Sequence, residues 1–427
     1  VSGKPRLGLF AVKKRPDEEK IFRSELFNIE QLKGHAKSLA ERHLAYYKKG
    51  RDKLLRRLKE NEEVLNHIQN ILKKADKSKT RITPTGEWLL DNYFLIEEQI
   101  RLAQKYLPKD YIQGLPHVSE GPFLDYPCVY EIAMEVVSHS DGCLDKERLT
   151  EYIASYQTVR HLKLGELWAF PIMLRLALIE NLRRISSRLI VSYAERDKAN
   201  YWATRILKTP VKDTDAMILE IGAMSKANQQ FSDTFVAEFM RRLHGQTHAF
   251  SILFLWLEKK LLEQGGNLDK IIRSISQKQA ANQVSTANTI GSLRFLGTTD
   301  WCDFVESLSI VEKILNQDPS GHYSRMSFAT RDRYRHSVER FSLRSKLPEG
   351  EIAKRVIQLA NKAKTEKGAS HVTAHVGFYL IDRGLEVLCR HLGLRLTFNQ
   401  QLEAKKTFLS SILFFGSVLL LTPTVSV

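Results

Sequence analysis

Residues 166–190 read ELWAFPIMLRLALIENLRRISSRLI, and this stretch decides the fold. Leu167, Trp168, Phe170, Ile172, Met173, Leu174, Leu176, Leu178 and Ile179 leave no polar face over several helical turns. A helix that is apolar nearly all round lies at the centre of a bundle or inside a membrane. Arg175, Glu180, Arg183 and Arg184 interrupt the run, so a buried helix is expected and a membrane span is not. Such a helix needs others around it.

The flanking sequence supplies them. Leu26, Ile29, Leu32, Ala36 and Leu39 recur at helical spacing, as do Leu54, Leu58, Leu65, Ile68 and Leu72. Gly50 is expected to break the run in two, and Lys73–Thr80 reads as a polar connector. Thr83 offers an N-cap, Pro84 suits the first helical position, and Glu87 complements the positive end. One stripe then runs through Leu89, Tyr93, Ile96, Ile100 and Leu107 until Pro108. Pro and Gly crowd the segment from Pro108 to Pro127 and predict irregular structure. Helices are expected again over Val129–Val137 and Asp145–Val159. After a polar break at Lys208–Asp215 come further ones at 214–227, 232–264, 303–316, 327–345, 349–365 and 380–391. His375–Ile381, HVGFYLI, reads equally as a short strand or a turn of helix. The fold class is therefore all-α, as a multi-helix bundle or an elongated helical array.

At 427 residues the chain exceeds what one core usually holds. The expected layout is a flexible basic tail (1–20) and a helical domain (21–400) that can divide near 200–215. A hydrophobic fraction of 43% and a charged fraction of 27% fit a folded chain, not a disordered one. Cys128, Cys143, Cys302 and Cys389 form no CxxC pair, which argues against a disulfide framework or a thiolate zinc site and fits a reducing compartment. The 65 basic and 49 acidic residues leave a net charge of +16. That excess suits anionic lipid, an acidic protein partner or nucleic acid, or simply a solvated Lys-rich surface. The basic residues seldom alternate with exposed aromatics, which speaks against a nucleic-acid groove.

Residues 407–427, TFLSSILFFGSVLLLTPTVSV, carry no charge and follow Lys405-Lys406. A bilayer core needs about 20 apolar helical residues, so 405–427 is expected to begin a transmembrane helix. Arg390, Arg395, Lys405 and Lys406 precede it, which places the helical body on the cytoplasmic side. Because position 1 is Val and an apolar run closes the sequence, a piece of a longer polypeptide is expected.

Short motifs yield no assigned catalytic, cofactor-binding or metal-ligating residue. Asp213-Thr-Asp215 matches the DxD metal pattern of sugar-nucleotide transferases, but its setting reads as a helix cap. His371 and His375 share a helical spacing without the Glu of HExxH. His35 and His43, and His244 and His248, repeat helical spacings without convergent carboxylates. In Gln317–Arg340, Thr330 is a candidate N-cap, and Arg331, Arg333 and Arg335 crowd the helix start. Three cations there oppose the helix dipole. Either an intramolecular acidic network or docking to a partner surface or to lipid headgroups is expected to compensate.

Five long blocks resemble, in order, the N-terminal region of the bacterial cyclic β-1,2-glucan synthases. They are RSELFNIEQLKGHAKSLA (Arg23–Ala40), GEWLLDNYFLIEEQIR (Gly86–Arg101), GELWAFPIMLRLALIENLRR (Gly165–Arg184), QDPSGHYSRMSFATRDRYRHSVER (Gln317–Arg340) and HVGFYLID (His375–Asp382). The resemblance implies a very large bacterial inner-membrane enzyme that builds and cyclises β-1,2-glucan from UDP-glucose with a divalent metal. It implies that the catalytic and primer residues lie in later modules, so none is carried to a position here. The expected partners are the later domains of the same polypeptide and inner-membrane lipid, and not nucleic acid. The expected role is a scaffold for the glycosyltransferase module. The alternative is a non-catalytic basic helical module that binds anionic lipid, nucleic acid or an acidic protein.

Overall fold

A computed structural model describes residues 25–47, 53–107, 114–210, 213–228, 230–243, 250–263 and 266–395. Gly50, Pro108, residues 1–20 and the apolar stretch 405–427 lie outside them. Among the described residues the chain is helical, with 17 α-helices and a two-stranded antiparallel pairing of β1 (Ala45–Tyr46) with β2 (His117–Val118). No helix among these residues is long and apolar enough to cross a membrane.

The chain divides into two compact units. Among the described residues the first comprises 25–35, 43–149 and 171–299. Its first complete described helix is α2 (Lys53–Lys77), whose leucines at positions 54, 58, 65 and 72 are buried with Ile68. The expected connector at Lys73–Thr80 is thus helical as far as Lys77. Thr83 caps α3 (Pro84–Asp91) by accepting from the Gly86 N–H. The stripe that follows is interrupted at Asn92 before α4 (Tyr93–Tyr106). The helices α5 (Cys128–His139) and α6 (Lys146–Gln157) come next in sequence.

The apolar stretch at 166–190 lies in α7 (Leu164–Lys208), and Leu174, Ala177, Leu178, Ile179 and Leu182 are fully buried. The two units share this helix: residues up to Phe170 belong to the second and those from Pro171 to the first. Proline supplies no N–H for the carbonyl four residues earlier. Residues 200–215 lie inside the first unit, where a hydrophobic cluster of its own starts at Ala199. That cluster joins the end of α7 to α8 (Thr214–Ala227), α9 (Asp233–Leu243) and α10 (Ser251–Glu263). The single helix expected over 232–264 is therefore two.

The long helix α11 (Leu268–Thr298) has no counterpart in the sequence reading. It packs against α3, α4 and α9. Its buried face mixes Ile290, Leu293 and Leu296 with Ser285, Thr289 and Ser292. The hydroxyls are satisfied across the unit. Ser292 donates to the Gly142 carbonyl at 2.6 Å and accepts from the Leu144 N–H at 2.9 Å, and Asn181 donates to Thr289 at 2.9 Å. Gly142 has φ +72°, and a Cβ there would meet the Thr289 hydroxyl at 2.5 Å, so only glycine lets the turn approach α11 so closely.

Among the described residues the second unit comprises 36–42, 150–170 and 300–395. The helix α1 (Ile29–Arg42) ends in it, with Ala36, Leu39 and Ala40 buried. Leu26 precedes α1 and is exposed, against expectation. The helix expected at 303–316 is broken by Ser309 into α12 (Trp301–Leu308) and α13 (Ile310–Leu315), because the Ser309 side chain caps the second piece. The helices α14 (Phe328–Ser345) and α15 (Glu349–Lys367) follow. HVGFYLI resolves as helix α16 (Val376–Ile381), separated from α17 (Leu385–His391). One core joins α13 to α17, with Leu315, Val338, Ile352, Val356, Val376 and Leu388 fully buried.

Candidate functional site

The densest polar cluster lies in the second unit, on the stretch 317–340. Ser327, not Thr330, is the N-cap of α14: its hydroxyl accepts the Thr330 N–H at 3.4 Å. Arg331 and Arg335 are then one turn apart on one face. Arg331 makes a two-point contact with Glu306 at 3.0 and 2.7 Å. Arg335 is 0% exposed and reaches Glu306 at 2.8 Å, Glu312 at 2.5 Å and Asp332 at 3.1 Å. The Tyr323 hydroxyl donates to Glu312 at 2.7 Å, and the Phe328 ring lies 4.9 Å from the Arg335 guanidinium. Burial disfavours the Arg335 charge, but Glu306 and Glu312 outweigh it and raise its pKa. Burial likewise works against ionised Glu306, yet the hydrogen bonds from Arg331 and Arg335 hold its carboxyl low. Acids from α12 and α13 thus compensate two of the three crowded arginines within the chain.

A second network adjoins the first. Asp318, whose side chain is 1% exposed, accepts from His375 Nδ1 at 2.9 Å, from Ser320 at 2.5 Å, and from the backbone N–H groups of His322, Tyr323 and Val376. Burial opposes the carboxylate, but these donors, His375 first, bring its pKa down to about 2. His375 Nε2 faces the Tyr334 hydroxyl at 3.2 Å, and burial raises the Tyr334 pKa. The line Asp318–His375–Tyr334 can orient an imidazole and hold a proton. A Cβ on Gly377 would overlap the Tyr334 hydroxyl, so this glycine permits the approach. His371 and His375 do not share a helix face: His371 caps a 3-10 turn and His375 precedes α16.

The third cluster belongs to the first unit. His35 Nε2 lies 2.9 Å and His139 Nε2 3.3 Å from the same Glu135 Oε2. One turn earlier on α5, Glu131 meets His43 at 3.1 Å. His35 and His43 therefore do have convergent carboxylates, from a helix roughly a hundred residues on, where no local pattern could show them. Burial would raise the Glu135 carboxyl, but hydrogen bonds from His139 and His35 outweigh it and leave it at about 2. Asp213 accepts the Ala216 N–H at 3.0 Å and caps α8, as the DxD setting implied. His244 and His248 lie outside the described residues.

No model of a known protein family matches the chain. Over 391 residues it is 28% identical to the cyclic beta-(1,2)-glucan synthase NdvB of Rhizobium meliloti (strain 1021). The chain is similar to part of a cyclic glucan synthase. That similarity spans 89% of this chain and 13% of the synthase. It supports the family resemblance carried by the five sequence blocks.

Proposed function

We propose that this chain is a helical region of a cyclic β-(1,2)-glucan synthase, which scaffolds the glycosyltransferase module and does not itself carry out transfer. The observation that carries this reading is the 28% identity extended over 89% of the chain. The buried network around Arg335 supports the structural role, because the most conspicuous charges of the stretch 317–340 are engaged with one another. In this reading residues 405–427 enter the bacterial inner membrane, the body faces the cytoplasm, and UDP-glucose and a divalent metal are handled by later domains of the same polypeptide.

The test is a domain exchange in the Rhizobium synthase. Glucan formation from UDP-glucose is measured in membranes for the intact enzyme, for one lacking the matching region, and for one carrying this chain in its place. Loss on deletion and recovery on exchange are expected, with no glucan made by this chain alone. Full synthesis after deletion, or glucose transfer by the isolated chain, overturns the proposal.

A further inference from the structure

We infer that His35, Glu135 and His139 form a binding site for one divalent transition-metal ion of the zinc class. Glu135 and His139 stand one turn apart on α5 and project from the same face, while His35 comes from α1. Their three donor atoms lie within 4.8 Å of one another. Ligand atoms held about 2.0–2.1 Å from a tetrahedral zinc are roughly 3.3 Å apart. The distances of 2.9 and 3.3 Å from the two imidazoles to Glu135 Oε2 are close to that spacing.

The hydrogen inventory at His139 points the same way. Its Nδ1 is 2.8 Å from the Glu25 carbonyl oxygen. A carbonyl only accepts, so Nδ1 carries the hydrogen. Nε2 is then the ring nitrogen left to face Glu135 Oε2, at 3.3 Å, alongside His35 Nε2 at 2.9 Å. One ion would serve all three donors at once. A backbone carbonyl that fixes the far N–H is also the outer-shell partner that metal-binding histidines commonly have.

Surrounding groups hold the rings in place. The Phe27 ring stacks on His139 with centroids 3.8 Å apart and meets His35 edge-on at 5.6 Å. The Phe27 N–H donates to the His139 carbonyl at 3.0 Å. Side-chain exposures of 18% for His35, 16% for Glu135 and 9% for His139 leave the donors held yet reachable by an ion. Two imidazoles and a carboxylate, with no thiolate, suit Zn²⁺ or Co²⁺ better than Ca²⁺ or Mg²⁺. A bound ion would cross-link the middle of α1 to the end of α5, independently of any role in glucan synthesis.

The test uses the whole chain, stripped of metal with a chelator and titrated with ZnCl₂ and with CoCl₂. One tight equivalent is expected, with visible Co²⁺ bands that Zn²⁺ abolishes, and with slower amide exchange in residues 25–35 and 128–139. Glu135→Gln and His35→Gln are each expected to weaken binding by at least about 100-fold, with unchanged circular dichroism. Should either variant fail to fold, the exchange map of the unaltered chain decides: protection confined to other residues overturns the proposal. No bound equivalent, or binding that Glu135→Gln leaves intact, reduces the cluster to an ion pair and also overturns it.

Discussion

Glu349→Gln is expected to stabilise the chain at neutral pH, although it removes a charge from the start of a helix. Glu349 opens α15, is 5% exposed, and accepts the Leu164 N–H at 3.0 Å. Burial pushes its carboxyl up to about 7 from 4.5; Glu339 and Glu166 add to this, while the Leu164 N–H and Lys163 oppose it. The folded pKa lies above the unfolded one, so between pH 4.5 and 7 the native state keeps a proton that the unfolded chain releases. Stability from this group is complete below about pH 4.5, falls through that window, and stays low above it. A difference of about 2.5 pH units at about 1.4 kcal/mol each gives a penalty of at most about 3.5 kcal/mol. Gln keeps the size and an oxygen able to accept from Leu164, and it does not titrate. Urea unfolding at pH 4, 6 and 8 reads the effect, and subtracting the unaltered chain cancels the other titrating groups. The difference should be near zero at pH 4 and reach about 2–3 kcal/mol in favour of the variant at pH 8. A variant less stable at pH 8, or a difference that ignores pH, refutes the reasoning.

Three further outcomes follow from the second unit. Arg335→Ala leaves Glu306, Glu312 and Asp332 around a missing cation, and should cost about 3–5 kcal/mol in urea unfolding; a loss below about 1 kcal/mol contradicts a buried network. Gly377→Ala drives a methyl into the Tyr334 hydroxyl and should cost about 1–3 kcal/mol, part of which Tyr334→Phe restores in the double variant. Asp318 titrates near 2 when folded and 3.8 otherwise, so its contribution is full above about pH 4 and fades as pH falls toward 2. Asp318→Asn should cost about 2–3 kcal/mol at pH 7 and flatten that acid limb; an unchanged limb counts against the His375 pairing.

Much of the all-helical fold was legible because helices announce themselves over three and four residues. The leucines of α2, the Thr83-Pro84 start of α3, the Asp213 cap and the apolar α7 are local signals, and each stands where the pattern placed it. The helix α11 was not legible. Its core face includes Ser285, Thr289 and Ser292, which look solvent-facing until Asn181, Gly142 and Leu144 supply their partners. Ser309 was a break hidden inside an apolar run, since a hydroxyl that caps one helix can equally ride within another.

The candidate sites divide along the same line. By itself the sequence determined that the crowded arginines of 331–335 needed acids, because a helix start repels cations wherever it lies. Only tertiary structure decided that Glu306 and Glu312 provide them, and that Asp318 meets His375 across 57 residues. It alone brought Glu135 to His35 across 100 residues. Helix propensity and capping act along the chain, whereas ion pairs and metal-ligand geometry depend on which helix faces pack together, and that is set by the burial of the whole core.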